Sequence, residues 1–309
     1  ISAAVFLRQN GRSEKMAEFF VSLRDSVCGM FSYGFMVRAL VGGLLISLCS
    51  ALLGVSLVLK RYSMIGDGLS HVSFGAMAVA MAAGLAPLQF AIPIVVLAAF
   101  LLLRLNENSR VRGDSAVALV STSALAIGVA AISSSTGVNT DVYSYMFGSL
   151  LGMSKSDVLL CVVFSAIILV MFVLFYNRIF AVTFDENFTR ATGTNAGLYD
   201  MVIAVLTAVT IVLGMRMMGA MLISSLIIFP VLSALQLCRS YRSVVLVSAA
   251  LSGVCFFAGI WISYHFDDPY SIPPGAGIVL INLLVFLLFS AVSFVRRHKK
   301  SVSGQKAGG

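Results

Sequence analysis

The chain has 309 residues, of which 59% are hydrophobic and only 11% charged, and its mean hydropathy is +0.99. A soluble domain carries about 25% charged residues. So little polar sequence cannot cover a water-exposed surface, and a disordered chain needs the opposite composition. What remains is an all-α polytopic membrane protein with room for eight or nine transmembrane helices, at about 20 residues per span. The net charge of +8 sits in short basic runs beside apolar segments, which speaks for membrane topology and against nucleic acid as a partner.

In chain order, residues 1–37 form an arm. Within it Met16, Phe19, Leu23, Val27 and Met30 recur every three or four residues, the spacing of an amphipathic helix at the bilayer interface. No cleavable signal peptide is visible, because the run 1–7 is too short and lacks a basic flank before it. Residues 38–295 form the transmembrane domain. It holds nine apolar segments, at 39–59, 62–85, 88–105, 115–132, 158–180, 199–214, 217–237, 244–264 and 276–295. The sixth is short and Arg216 follows it at once, which fits an outer turn or a broken helix. Residues 296–309 form a basic tail. Small residues at i, i+4 spacing (Gly43, Ser47, Ala51 and Ala76, Ala80, Gly84) predict close helix packing in lipid. The cysteines Cys28, Cys49, Cys161, Cys238 and Cys255 show no CxxC spacing, and no disulfide framework is expected.

Loop charges set an orientation. One group of alternating loops and the tail carries Lys60, Arg61, Arg104, Arg110, Arg112, Arg178, Arg190, Arg239, Arg242, Arg296, Arg297, Lys299, Lys300 and Lys306, whereas the other carries only Lys155 and Arg216. The first group is therefore assigned to the cytoplasm, and with it the C-terminus. Nine spans then place the N-terminus outside, which conflicts with the basic residues Arg8, Arg12, Lys15, Arg24 and Arg38 of the arm.

Chemistry concentrates in Gly66-Asp67-Gly68-Leu69-Ser70-His71. His71 falls about 14 Å along its helix, close to the middle of a ~30 Å hydrocarbon core. A charged Asp near that depth costs about 2.5–3.5 kcal/mol on insertion scales, so it is expected to face a cavity or a partner. The i, i+4 spacing puts Asp67 and His71 on one helix face. Carboxylate oxygen and imidazole nitrogen suit a divalent transition metal. They make half a tetrahedral site, which a two-fold dimer completes. An Asp–His hydrogen bond that only locks the helix explains the same spacing equally well.

Weaker candidates lie at the loops. His265, beside Asp267 and Asp268, could bind metal arriving at an outer entrance, or be part of a hydrated loop. His298 belongs to the basic tail. Thr183-Phe184-Asp185-Glu186 fits a capping box, with Thr183 as N-cap and Glu186 three residues on. Gly193 suits the stop of that helix. The segment 183–195, with Phe184, Asp185, Glu186 and Arg190, is either an ordinary loop helix or a docking helix for a soluble partner. No GxxxxGK[ST], GxSxG or HExxH run is present, so neither a nucleotide-binding loop nor an enzyme motif is found in the chain.

Taken together these residues resemble the membrane permease subunit of the zinc/manganese/iron ABC importers. The resemblance runs from about Phe35 to Val295. It is carried by Leu59-Lys60-Arg61-Tyr62 with Gly66-Asp67 and His71, by Phe184-Asp185-Glu186 with Gly193-Thr194-Asn195, by 212–230, and by Pro273-Pro274-Gly275. It implies a homodimer of permeases, two cytoplasmic ATPase subunits that use the ATP, and an extracytoplasmic binding protein that delivers metal. No cofactor is bound permanently, and the metal ion is cargo. It implies that Asp67 and His71 line the metal pathway and that Phe184, Asp185, Glu186, Arg190 and Gly193 belong to the region coupled to the ATPase. The runs 145–150 and 212–230 look closer to the zinc branch than to the manganese branch. Pro274 and the long charged arm depart from the family pattern. The implied location is the bacterial cytoplasmic membrane. The alternatives are the same machine for manganese or iron, a stand-alone secondary metal carrier, and an intramembrane metalloenzyme.

Overall fold

The computed structural model describes residues 29–108, 113–134, 148, 154–265 and 273–306. The described residues form helices and no strand: α1 (Gly34–Leu59), α2 (Ser63–Ala82), α3 (Pro87–Asn108), α4 (Asp114–Ser134), α5 (Lys155–Phe184), α6 (Glu186–Ala191), α7 (Ala196–Met218), α8 (Ala220–Leu237), α9 (Tyr241–His265) and α10 (Pro274–Lys306). Each of the nine apolar segments corresponds to one long helix. Eight helices are long and apolar enough to cross a membrane, namely all but α2 and the short α6. Helix α2 has 20 residues and is diluted by Gly, Ser, Asp67 and His71. It is nonetheless mostly buried, because α3, α4, α7 and α8 pack around it. A helix sheathed by protein has no need of the apolar surface that lipid demands.

Helix α1 is the axis of the other half and contacts α5, α7, α8 and α9, while α10 lies against α8 and α9. The stripe at Gly43 and Ser47 acts where the sequence places it, whereas Gly84 lies past the end of α2 at φ 68° with nothing within 4 Å of a Cβ, so the second stripe does not extend that far. A Cβ on Gly43 would strike the Phe256 ring, and one on Gly54 would lie 2.3 Å from the Ile227 carbonyl oxygen. The Ser252 hydroxyl donates to the Ser47 carbonyl at 2.9 Å, joining α9 to α1. Such close approach supplies the dispersion contacts that hold helices together in lipid, where burial of apolar surface supplies no drive. Among the described residues Cys49, Cys161 and Cys255 are buried free thiols, and Cys28 lies outside the described residues.

Two turns shape the bundle. After α1, the Arg61 amide donates to Val58 O and the Tyr62 amide to Leu57 O, the paired bonds of a Schellman stop. Arg61 occupies the left-handed position at φ 62°, where glycine is the usual residue. Between α7 and α8 only Gly219 intervenes, at φ 86°. Of the two readings of the short sixth segment the turn holds and the broken helix does not: α7 runs unbroken to Met218, and the chain turns at Gly219. Arg216 remains helical and pairs with Asp157 on α5 at 2.9 Å. That ion pair joins the two sequence regions that hold the sparse charges of the second loop group.

Candidate functional site

Three faces of α2 are committed to packing. Gly68 and Gly75 meet α4 at Val117 and the Ala124 carbonyl, and Gly66 meets Ile227 of α8. The Ser224 hydroxyl of α8 donates to the Ser70 hydroxyl at 3.4 Å. Ile65 and Leu69 turn toward Leu103 of α3 and Ile203 of α7, across a water-sized cavity. What remains is a strip formed by Met64, Asp67 and His71, which 3.6-residue periodicity brings to one side. Met64 is 47% exposed, and the side chains of Asp67 and His71 are 47% and 31% exposed. One turn further on, Phe74 is buried and packs where Gly128 of α4 leaves room. The strip is thus open toward the α1–α2 turn and closed beyond His71.

Within the strip, His71 Nε2 lies 3.7 Å from Asp67 Oδ2. That separation is too long for a good hydrogen bond and leaves both atoms free to turn toward a third group. Among the described residues, no cluster of three or more His, Cys, Asp or Glu could hold a metal. The strip thus presents one imidazole nitrogen and one carboxylate oxygen, donor types that first-row divalent ions accept. Of the outer candidates, His265 ends α9 and stacks on Trp261 at 5.4 Å between ring centroids. Asp267 and Asp268 lie outside the described residues, as do Met16, Phe19, Leu23 and Val27 of the arm.

At the other end of α5 the structure corrects the expected capping box. Thr183 is not an N-cap. It lies within α5, and its hydroxyl donates back to the Ile179 carbonyl at 2.6 Å. Such a back-bond satisfies the hydroxyl inside the helix and removes its capping role. The chain breaks instead at Asp185, whose extended backbone and side chain, accepting from the Phe188 amide at 2.8 Å, cap α6. Glu186 is consequently the first residue of α6. Its carboxylate pairs with Arg190 at 2.5 Å. The stop at Gly193 is as expected. It sits at φ 80°, its amide donates to Arg190 O, and the Thr194 amide donates to Thr189 O. Phe184, 60% exposed, also contacts the rings of Phe180 and Tyr241, with centroids 5.0 and 5.9 Å away.

Sequence reasoning missed three residues here. Lys60, at the C-cap of α1, pairs with Asp200 of α7 and lies 3.8 Å from Glu186 Oε2 of α6. In the sequence Lys60 reads as a loop charge and as part of the Leu59-Lys60-Arg61-Tyr62 run, with no sign of its partners. Asp200 was absorbed into an apolar segment, although an acid just inside a span beside basic loops is itself a signal. Phe188, 66% exposed on α6, is an apolar knob in a polar segment.

A bundle of long apolar helices, an ionisable pair on an accessible strip of a buried helix, and no nucleotide-binding motif define a membrane transport component. A model described as the ABC 3 transport family matches residues 32–293. The chain is 31% identical over 273 residues to a "Probable iron transport system membrane protein" of Haemophilus influenzae, covering 85% of this chain and 96% of that one. It is 24% identical over 278 residues to the "Manganese import system permease protein ScaB" of Streptococcus gordonii, covering 90% and 98%. The fold matches PsaBC from Streptococcus pneumoniae, solved in complex with Fab, with a TM-score of 0.77 at 25% identity, over 86% of this chain and 95% of that chain. This chain belongs to the ABC 3 transport family, and the resemblance to the membrane permeases of metal ABC importers is borne out.

Proposed function

We propose that this chain is the transmembrane subunit of an ATP-driven importer of divalent transition metal, with zinc as its cargo. The observation that carries the reading is the accessible Asp67–His71 pair on a helix that is otherwise packed away. Placing an acid and an imidazole side by side at membrane depth is costly unless they serve a ligand or each other, and 3.7 Å is a poor mutual bond. A second copy related by a two-fold axis completes the site with two carboxylates and two imidazoles. Four nitrogen and oxygen donors suit tetrahedral Zn²⁺. The names of the relatives favour a second reading, the same machine carrying manganese or iron.

In this reading the basic end of the bundle, with the α1–α2 turn, α6 and the C-terminus, faces the bacterial cytoplasm. A binding protein releases metal on the opposite side, at the end of α9 marked by His265, with Asp267 and Asp268 next to it in the sequence. Two ATPase subunits dock on α6 through Phe184, Asp185, Glu186 and Arg190, and Gly193 ends the docking helix. Their closure moves the helices as rigid bodies, and the Asp67–His71 sites of both copies pass the ion from one side to the other. Deprotonated Asp67 and neutral His71 hold the metal, so protons compete with it. The test is metal uptake by Asp67→Ala and His71→Ala in the assembled complex. Loss of uptake with intact assembly supports the pathway, and near wild-type uptake by both variants refutes it.

A further inference from the structure

We infer that Lys60 is the positioning residue through which movement of α6 reaches the helix bearing Asp67 and His71. The inference rests on the import reading above and adds the link between its two ends. Lys60 closes α1, and α2 begins three residues later at Ser63. The intervening turn is fixed by the two Schellman bonds at Arg61 and Tyr62. A displacement of the Lys60 backbone is therefore delivered to the first turn of α2 without slack, and Asp67 stands in the next turn.

The side chain of Lys60 connects that turn to the rest of the basic end. It is only 11% exposed, pairs with Asp200 of α7, also 11% exposed, and lies 3.8 Å from Glu186 Oε2 of α6. Glu186 is held in turn by Arg190, on the solvent side of α6. One largely buried ammonium thus faces two carboxylates on two different helices. A charge in a poorly solvated site cannot drift away from its partners, so its position follows theirs. When α6 moves relative to α7, the ammonium either keeps Asp200 alone or takes up Glu186 in full.

There is room for that exchange. A cavity of about 20 Å³ lies beneath the pair, lined by Lys60, Asp200, Ser56 and Thr207, with Ile65 and Leu69 of α2 in its wall. The Thr207 side chain is buried and its hydroxyl has no partner among the described residues. A space of this size can admit one water, and the Thr207 hydroxyl is a group on its wall to which such a water can bond. Two discrete arrangements of one buried group, biased by a helix at the surface, are the physical form of a coupling element.

The experiment uses the full complex of permease, ATPase subunit and binding protein in proteoliposomes, with ATP hydrolysis and uptake of Zn²⁺ and Mn²⁺ measured together. Lys60→Met is expected to lower ions imported per ATP hydrolysed at least tenfold while hydrolysis stays within about twofold of wild type. Lys60→Arg is expected to restore the ratio. A wild-type ratio in Lys60→Met overturns the inference, as does an equal fall in uptake and hydrolysis. If Lys60→Met does not assemble, Asp200→Asn replaces it with the same expectation and the same refutation. A wild-type complex that hydrolyses ATP but imports neither ion removes the import reading. The link is then judged on nucleotide-dependent hydrogen exchange at the amides of 63–71, which Lys60→Met should abolish and Lys60→Arg preserve. Exchange that responds to nucleotide equally in all three overturns it.

Discussion

Replacing Gly75 by alanine tests whether the α2–α4 contact sets the position of the Asp67–His71 strip. The added Cβ would lie 2.3 Å from the Ala124 carbonyl oxygen and 3.0 Å from its carbon. A tolerable carbon–oxygen contact is about 3.3 Å, so the helices must part by roughly 1 Å. The obstacle is backbone, so no rotamer change relieves it. Overpacking of this kind costs about 1–3 kcal/mol, against at most about 1 kcal/mol gained from alanine's helix propensity. The net expectation is a loss of about 1–2 kcal/mol. Gly253→Ala is the control, because its Cβ would meet nothing closer than Leu44 Cδ2 at 3.9 Å, and it should be neutral or slightly stabilising. Unfolding in detergent can be followed with a thiol-reactive dye, since Cys49, Cys161 and Cys255 are buried until the bundle opens. Gly75→Ala should melt earlier than Gly253→Ala and import less metal, because α2 carries Asp67 and His71 with it. Equal melting and equal uptake in the two variants would refute the argument.

Further outcomes are expected at other positions. Asp185→Ala should destabilise α6 by about 1 kcal/mol through loss of its N-cap and weaken co-purification of the ATPase subunit, whereas Thr183→Ala should do neither. The reverse order would restore the capping box at Thr183. Arg61→Gly relieves a residue held at φ 62° and should stabilise the bundle by about 1 kcal/mol, read in the same dye assay. An earlier transition would count against strain at that turn.

The spans were legible in the sequence because lipid imposes about 20 apolar residues on each, and the basic loops mark one side. Burial was not legible. Helix α2 is among the least apolar of the long helices and yet lies inside the bundle, since what surrounds it is set by α3, α4, α7 and α8. The Asp67–His71 pair stood out because i, i+4 spacing is local, and the structure adds that its strip is the accessible one. Local signals failed where two readings competed for one residue. Thr183 carries the composition of an N-cap, but its hydroxyl is satisfied within α5 and the break falls two residues later. Arg61 offered no sign of a left-handed turn, because glycine is its usual marker. The Lys60–Asp200 pair joins residues 140 positions apart, a separation across which no periodicity in the sequence reports contact.

ATP-driven metal import through the Asp67–His71 site is tested most directly by metal accumulation in cells that express this chain with an ATPase subunit and binding protein, comparing Zn²⁺, Mn²⁺ and Fe²⁺. An ATPase-dead control and the double variant Asp67→Ala/His71→Ala complete the set. Zinc should accumulate, and the accumulation should disappear in both controls. Manganese or iron accumulation lost in both controls would keep the machine and replace its cargo. Accumulation that survives the dead ATPase would refute ATP-driven import by this chain.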